Sequence, residues 1–129
     1  MNNRTSMFFQ SHNKRAFVPG EVDMVSGAGY NSARYPNGIF PKGLDHRRII
    51  TNLCVLDFEG ENKAIRVRSL HPGVTFDEVQ DNTGFELIRP KDLSETVAPT
   101  EIELAIIDSL DPNNLRKNIF KDNPNGRRL

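Results

Sequence analysis

Hydrophobic positions in this chain come in short bursts whose spacing changes from one stretch to the next. Met7-Phe8-Phe9 reads as a short buried strand followed by the loop residues Ser11 to Lys14, and Val22-Asp23-Met24-Val25 reads as a second strand, closed by Ser26-Gly27-Ala28-Gly29. Both look too apolar for exposed edges. From Tyr30 to Asp45, YNSARYPNGIFPKGLD holds two prolines, two glycines and no sustained period, which predicts an irregular loop. The run RIITNLCVLDF, Arg48 to Phe58, is apolar on both alternating faces, as expected of one central strand: Ile50, Cys54, Leu56 and Phe58 share one side, Ile49, Leu53 and Val55 the other. Glu59 to Asn62 then predicts a turn. Ala64 to Leu70 alternates Ile65 and Val67 inward with Arg66 and Arg68 outward, a hairpin partner wet on one side.

Two helices follow, each announced by its N-terminus. In SLHPGVTFDEVQDNTGFEL, Pro72-Gly73 forces a turn, Thr75 and Glu78 have capping-box spacing, and Gly84 stands where a short helix would reverse. His71, just before the turn, is read as a histidine bonding a turn carbonyl rather than as a catalytic group. Thr100 and Glu103 repeat the box ahead of a helix whose Ile102, Ile106 and Leu110 share a face and which Asp111-Pro112 ends. The expected fold class is α/β: a partial open, mostly parallel sheet with a central hairpin and two packed helices. Residues 1–116 form one unit, and the polar stretch 117–129 is expected to be a flexible tail.

Composition narrows the function. The 129 residues are 36% hydrophobic with 9 glycines, below the globular norm of about 45–50%, so the core is thin and a partner surface is expected. Seventeen basic and seventeen acidic side chains cancel to a formal net charge of +0, which removes the electrostatic drive toward nucleic acid or an anionic membrane. A single cysteine, Cys54, leaves no internal disulfide and no cysteine-rich zinc site, and with no signal-like or membrane-length apolar run the expected setting is a reduced cytoplasm.

Candidate chemistry is sparse. Gly27-Ala28-Gly29 invites a dinucleotide reading, but the third glycine position is Ser32 and a proline-containing loop follows where a helix should start. His12, His46 and His71 are far apart in sequence, with no spacing that supplies a metal set. Cys54 sits in the central strand, where a thiol is an inert small apolar group. Glu59 and Glu61 occupy the hairpin turn and Glu78 and Glu103 serve as caps, so no buried carboxylate pair is evident.

Taken in order and at their spacings, RIITNLCVLDF, RVRSLHPGVTFDEVQDNTGFEL and PTEIELAIIDSLDP resemble the C-terminal half of the beta-type subunit of family I CoA-transferases, the glutaconate CoA-transferase group. The likeness extends upstream through HNKRAFVPGEVDMVSGAGY and covers residues 7 to 116. Val25-Ser26-Gly27-Ala28-Gly29-Tyr30 and the ending Asp111-Pro112 with Leu115-Arg116 look like the branch containing the beta subunit of the cholesterol-ring-cleaving CoA-thioester hydrolase.

The resemblance implies an open α/β architecture, an alpha-type partner subunit and an acyl-CoA substrate, with coenzyme A present only as part of that substrate and no tightly bound cofactor. In the transferases a glutamate attacks the thioester, a covalent route by a carboxylate. The family's attacking glutamate lies in the N-terminal half, so no catalytic residue carries over. Glu61-Asn62 after Gly60 is similar to one form of its motif but falls in the hairpin turn. Ser26, Gly27, Gly29 and Tyr30 are the candidate substrate-binding positions, because a glycine-rich loop at a strand end suits a substrate or an interface; a plain structural loop is the competing reading. The expectation is a beta-subunit fragment, mainly scaffold, lacking the nucleophile and inactive alone. It would work with an alpha-type chain and a separate N-terminal half. The alternatives are a component of a ring-opening acyl-CoA hydrolase and a non-catalytic assembly module.

Overall fold

The structure, a computed structural model, describes residues 4–118, and side chains as far as Arg116. The tail expected over 117–129 therefore falls, from residue 119, outside the described residues. Five strands form one sheet in chain order. β1 (Arg4–Phe9) runs parallel to β2 (Asp45–Thr51); β2 and β3 (Cys54–Asp57), then β3 and β4 (Arg66–Leu70), are antiparallel; the short β5 (Ser94–Glu95) is parallel to β4. Helix α1 spans Phe76–Asp81 and α2 spans Glu101–Leu110. The open α/β sheet and its central β3–β4 hairpin match the sequence expectation; the parallel pairings are the two outer ones. Among the described residues no helix is long and apolar enough to cross a membrane.

The run Arg48 to Phe58 is not one strand. It folds back at Asn52-Leu53, so that Ile49 faces Leu56 and Ile50 faces Val55. No glycine or proline marks this turn, because side chains build it. Thr51 Oγ1 accepts the backbone N–H groups of Leu53 and Cys54 at 3.1 Å each. The N–H of His71 donates to the Leu53 carbonyl at 2.9 Å, and His71 Nε2 donates to the Thr51 carbonyl at 2.9 Å. The fold-back turns Ile49, Thr51, Leu53, Cys54 and Leu56 into the core and leaves Ile50 half-exposed. His71 does bond a turn carbonyl, that of a turn twenty residues upstream.

The two upstream strands also differ from expectation. β1 forms, but as an edge strand with Phe8 54% exposed. Val22 to Val25 forms no strand, and Val22, Met24 and Val25 lie exposed. Both sides of β2 are already taken by β1 and β3, so that segment cannot pair with the central strands.

One face of the sheet carries the core. Leu56, Val67 and Cys54 on the strands meet Val79 of α1, Phe17, Val74 and Leu87. Thr75 caps α1, its hydroxyl accepting the Glu78 N–H at 3.1 Å. Gly84 does not reverse the chain after it: Asn82 is the C-cap, and Gly84 instead donates its N–H to the Phe17 carbonyl at 2.7 Å. A Cβ on Gly84 would stand 2.3 Å from the Pro19 nitrogen and 2.6 Å from the Phe17 oxygen. Because backbone cannot step aside as a side-chain tip can, Gly84→Ala is expected to cost about 1–3 kcal/mol by urea unfolding. Gly27→Ala, whose Cβ would meet nothing within 4 Å, should stay within about 0.5 kcal/mol of the parent.

Helix α2 has the predicted box: Thr100 Oγ1 accepts from Glu103 N, and the Glu103 carboxylate accepts from Thr100 N at 2.7 Å. It ends at Asp111, whose carboxylate accepts the N–H groups of Leu115 and Arg116. Yet α2 does not pack on the sheet. Ile102 and Leu110 are 74% and 79% exposed, and no residue of the helix is buried. The helical period is real, but β5 is only two residues long and the chain leaves the sheet before α2 begins.

Candidate functional site

Ser26 and Gly27 are exposed, while Gly29 and Tyr30 are half-buried; they lie on an irregular surface segment rather than at a strand end. Gly29 adopts φ +55, the left-handed region where glycine is favoured, and its carbonyl accepts the Tyr35 hydroxyl at 2.8 Å. Tyr30 is the anchor. Its hydroxyl accepts the His46 backbone N–H at 3.0 Å, tying the loop to the first residues of β2. Its ring stands edge-on to Phe40, His46 and Phe58 at centroid distances of 5.7, 5.3 and 5.3 Å, and the Lys63 ammonium lies 5.7 Å from its centroid. The sequence offered Tyr30 through its glycine-rich neighbours; Lys63, His46 and Phe58 reach it only through the fold. Buried His46 Nδ1 has no hydrogen-bond partner among the described residues.

The other histidines are committed. His71 Nδ1 meets Thr96 Oγ1 at 3.0 Å, which in turn meets Ser69 Oγ at 2.8 Å. With Nε2 donating to the Thr51 carbonyl, this chain pins the segment after β5 to the β2–β3 turn and leaves no free imidazole nitrogen. His12 is buried between Thr51 and Thr83 hydroxyls, at 3.0 and 2.9 Å. Cys54 is wholly buried; burial pushes its thiol up to about 12, against the pull of a Thr51 hydrogen bond, so it is the inert group expected. Glu61 is exposed on the β3–β4 turn.

The sheet face opposite the core carries a charge network that the sequence did not disclose. Asp57, fully buried, accepts Arg66 Nε at 3.0 Å and the Glu59 N–H at 3.1 Å on one oxygen and a second Arg66 nitrogen at 2.9 Å on the other. Glu59 closes the network against Arg48 and Arg66. A cleft of about 300 Å³ lies beside it, with Arg66, Arg68, Asp92, Ser94 and Thr96 in its lining. Among the described residues no three of His, Cys, Asp and Glu gather as a metal-binding group.

The chain matches no known family model. It is 42% identical over 117 residues to the cholesterol ring-cleaving hydrolase IpdB subunit of Rhodococcus jostii (strain RHA1), a match covering 90% of this chain and 46% of that one. It is 38% identical over 81 residues to a 3-oxoadipate CoA-transferase subunit of Pseudomonas knackmussii, covering 54% of this chain and 31% of that one. The crystal structure of Rhodococcus jostii RHA1 IpdAB superposes with a TM-score of 0.75 over 89% of this chain and 46% of that one. Glutaconate coenzyme A-transferase from Acidaminococcus fermentans, at 24% identity and a TM-score of 0.71 over 94% of this chain and 45% of that one, shares the fold. The chain spans just under half the length of the IpdB relative. In sequence and in fold it is thus a homologue of CoA-transferase beta-type subunits, corresponding to a part of one.

Proposed function

We propose that this chain supplies scaffold and one pocket wall to a two-subunit enzyme acting on acyl-CoA thioesters, with the bond-making group contributed by other residues of the assembly. The 42% identity to IpdB across 90% of the chain carries the reading. The chemistry of the described residues supports it. The thiol is buried and neutral, both nitrogens of His12 and His71 are spent on hydrogen bonds, and Asp57 is held by arginine. The bare loop of Ser26, Gly27 and Gly29 leading into Tyr30 leaves backbone open to a ligand. Two uncovered apolar surfaces support an assembly: the stripe of α2, and Phe8 with Ile50 on the open sheet face. Large apolar side chains left bare together mark an interaction surface. An alpha-type subunit and the remainder of a beta-type subunit, joined or separate, are the proposed covers.

The purified chain is expected to turn over no acyl-CoA alone and to gain activity only with an alpha-type subunit. Robust turnover by the chain alone would overturn the reading. The stronger match to a ring-cleaving hydrolase than to a transferase favours hydrolysis as the second reading. Thioester or ring cleavage by the assembly without a carboxylate acceptor selects hydrolysis, and dependence on the acceptor selects transfer. An assembly that forms but neither binds nor consumes acyl-CoA leaves a non-catalytic module.

A further inference from the structure

The connection between β3 and β4 carries a cost that the fold does not explain. Asn62 and Lys63 both have left-handed backbones, φ 54 and 64, and the Ala64 N–H donates to the Glu61 carbonyl at 3.0 Å. This is the arrangement of a type I′ hairpin turn, whose favoured pair is Asn-Gly, because a side chain at the second central position is strained in the left-handed region. Here that position is lysine. Its backbone N–H, donated to the Gly60 carbonyl at 3.1 Å, could come from glycine equally well. Among the described residues its ammonium pairs with no carboxylate and lies instead against the Tyr30 ring, 5.7 Å from the centroid. Backbone cost held in place for the sake of one side chain is a mark of function.

The loop that leads into Tyr30 is bare. Gly29 needs its positive φ, but Gly27 has neither a left-handed backbone nor any described atom within 4 Å of where its Cβ would be, so nothing among the described residues requires glycine there. The Tyr30 hydroxyl is fixed by the His46 N–H and the ring by Phe40 and Phe58. One side of the ammonium therefore rests on a rigid aromatic face, and its other N–H donors remain for an incoming anion. The more highly charged cluster on the sheet offers less: Arg48, Arg66 and Arg68 are all engaged by Asp57 or Glu59.

We propose that Lys63, held over Tyr30 where the bare Gly27–Gly29 loop leads into that residue, is an anion-binding subsite for the acyl-CoA, taking a phosphate of the CoA portion or a carboxylate of the acyl portion. The proposal rests on the acyl-CoA reading above. It is tested on the full chain assembled with an alpha-type subunit, by calorimetric binding of CoA, dephospho-CoA, glutaryl-CoA and butyryl-CoA. Lys63→Gly relieves the left-handed cost, so its melting temperature should rise by a few degrees while affinity falls roughly tenfold or more for the ligand bearing the recognised anion. Lys63→Gln should lose the same affinity, and Lys63→Arg should keep most of it.

Loss for CoA and both acyl-CoAs but not for dephospho-CoA assigns the ribose 3′-phosphate, equal loss for all four assigns the pyrophosphate, and loss for glutaryl-CoA beyond that for butyryl-CoA assigns the acyl carboxylate. Each of these supports the subsite. Unchanged affinity of Lys63→Gly and Lys63→Gln for all four ligands overturns it while leaving the acyl-CoA reading in place. A parent assembly that binds none of the four overturns both.

Discussion

Asp57→Ala is expected to be the most damaging single substitution in this chain, lowering stability by about 3–5 kcal/mol. Its carboxylate is fully buried, which alone would raise its pKa. The Arg66 hydrogen bonds, the Glu59 N–H and the positive charges of Arg66 and Arg48 outweigh burial and hold it below the usual carboxylate range. Removing it leaves a partly buried guanidinium and the Glu59 amide without the acceptor around which β3 and β4 are arranged. The exposed member of the network is a useful contrast. Glu59→Ala should cost no more than about 1 kcal/mol, because the Glu59 side chain is 53% exposed and water replaces it. Urea unfolding of the two variants checks the ordering, and Asp57→Ala within about 1 kcal/mol of the parent would refute the account.

What the sequence made legible is what short-range rules govern. The Thr75 and Thr100 caps, the β3–β4 turn, the inward Val67 between outward Arg66 and Arg68, and the aperiodic loop after Tyr30 each depend on residues within a few positions of one another. What it hid depends on distant partners. The break in Arg48 to Phe58 is invisible because the turn at Asn52-Leu53 is stabilised by His12 and His71, thirty-nine and twenty positions from Thr51. The Asp57–Arg66 pair, only nine positions apart across the β3–β4 hairpin, is hidden for another reason: alternation says that Arg66 points away from the core but not that a buried acid waits there. In the candidate site, the glycines and Tyr30 stood out by composition. Lys63, His46 and Phe58 did not, because Lys63 and Phe58 belong to the β3–β4 arm and His46 to β2, and only the sheet brings them against Tyr30. Helix α2 failed in the opposite sense: its amphipathic period was read correctly, but a period says which face wants cover, not whether the same chain supplies it.

His12 should make this fold acid-sensitive well above the carboxylate range. Its hydrogen bonds fix the tautomer. The Thr83 hydroxyl donates to the Val79 carbonyl at 2.8 Å, so toward His12 it can only accept, which places the proton on Nε2. With the proton on Nε2, Nδ1 is the acceptor, and it shares the Thr51 hydroxyl hydrogen, at 3.0 Å, with the Cys54 carbonyl, at 3.2 Å, while Thr51 Oγ1 accepts the N–H groups of Leu53 and Cys54. A second proton on the ring would set Nδ1–H against that crowded oxygen, in a site 4% exposed, stacked on Phe17 at 4.1 Å and beside the Cys54 sulfur. Burial accordingly lowers the imidazole from 6.5 to about 4. Because the folded value lies below the unfolded one, the neutral ring's contribution is complete above about pH 6.5. It is lost as pH falls toward 4, at about 1.4 kcal/mol per pH unit and roughly 3 kcal/mol in all. Asp57 acts in the same direction but only at lower pH, as the unfolded carboxylate begins to protonate, so the interval from pH 6.5 to 5 belongs to His12. Stability measured by urea at half-unit steps should fall across that interval in the parent. In His12→Gln, which starts lower because it loses the stacked ring, the fall should be absent. A parent whose stability is flat from pH 6.5 to 5 would show that the ring takes up its proton without leaving its place between Thr51 and Thr83.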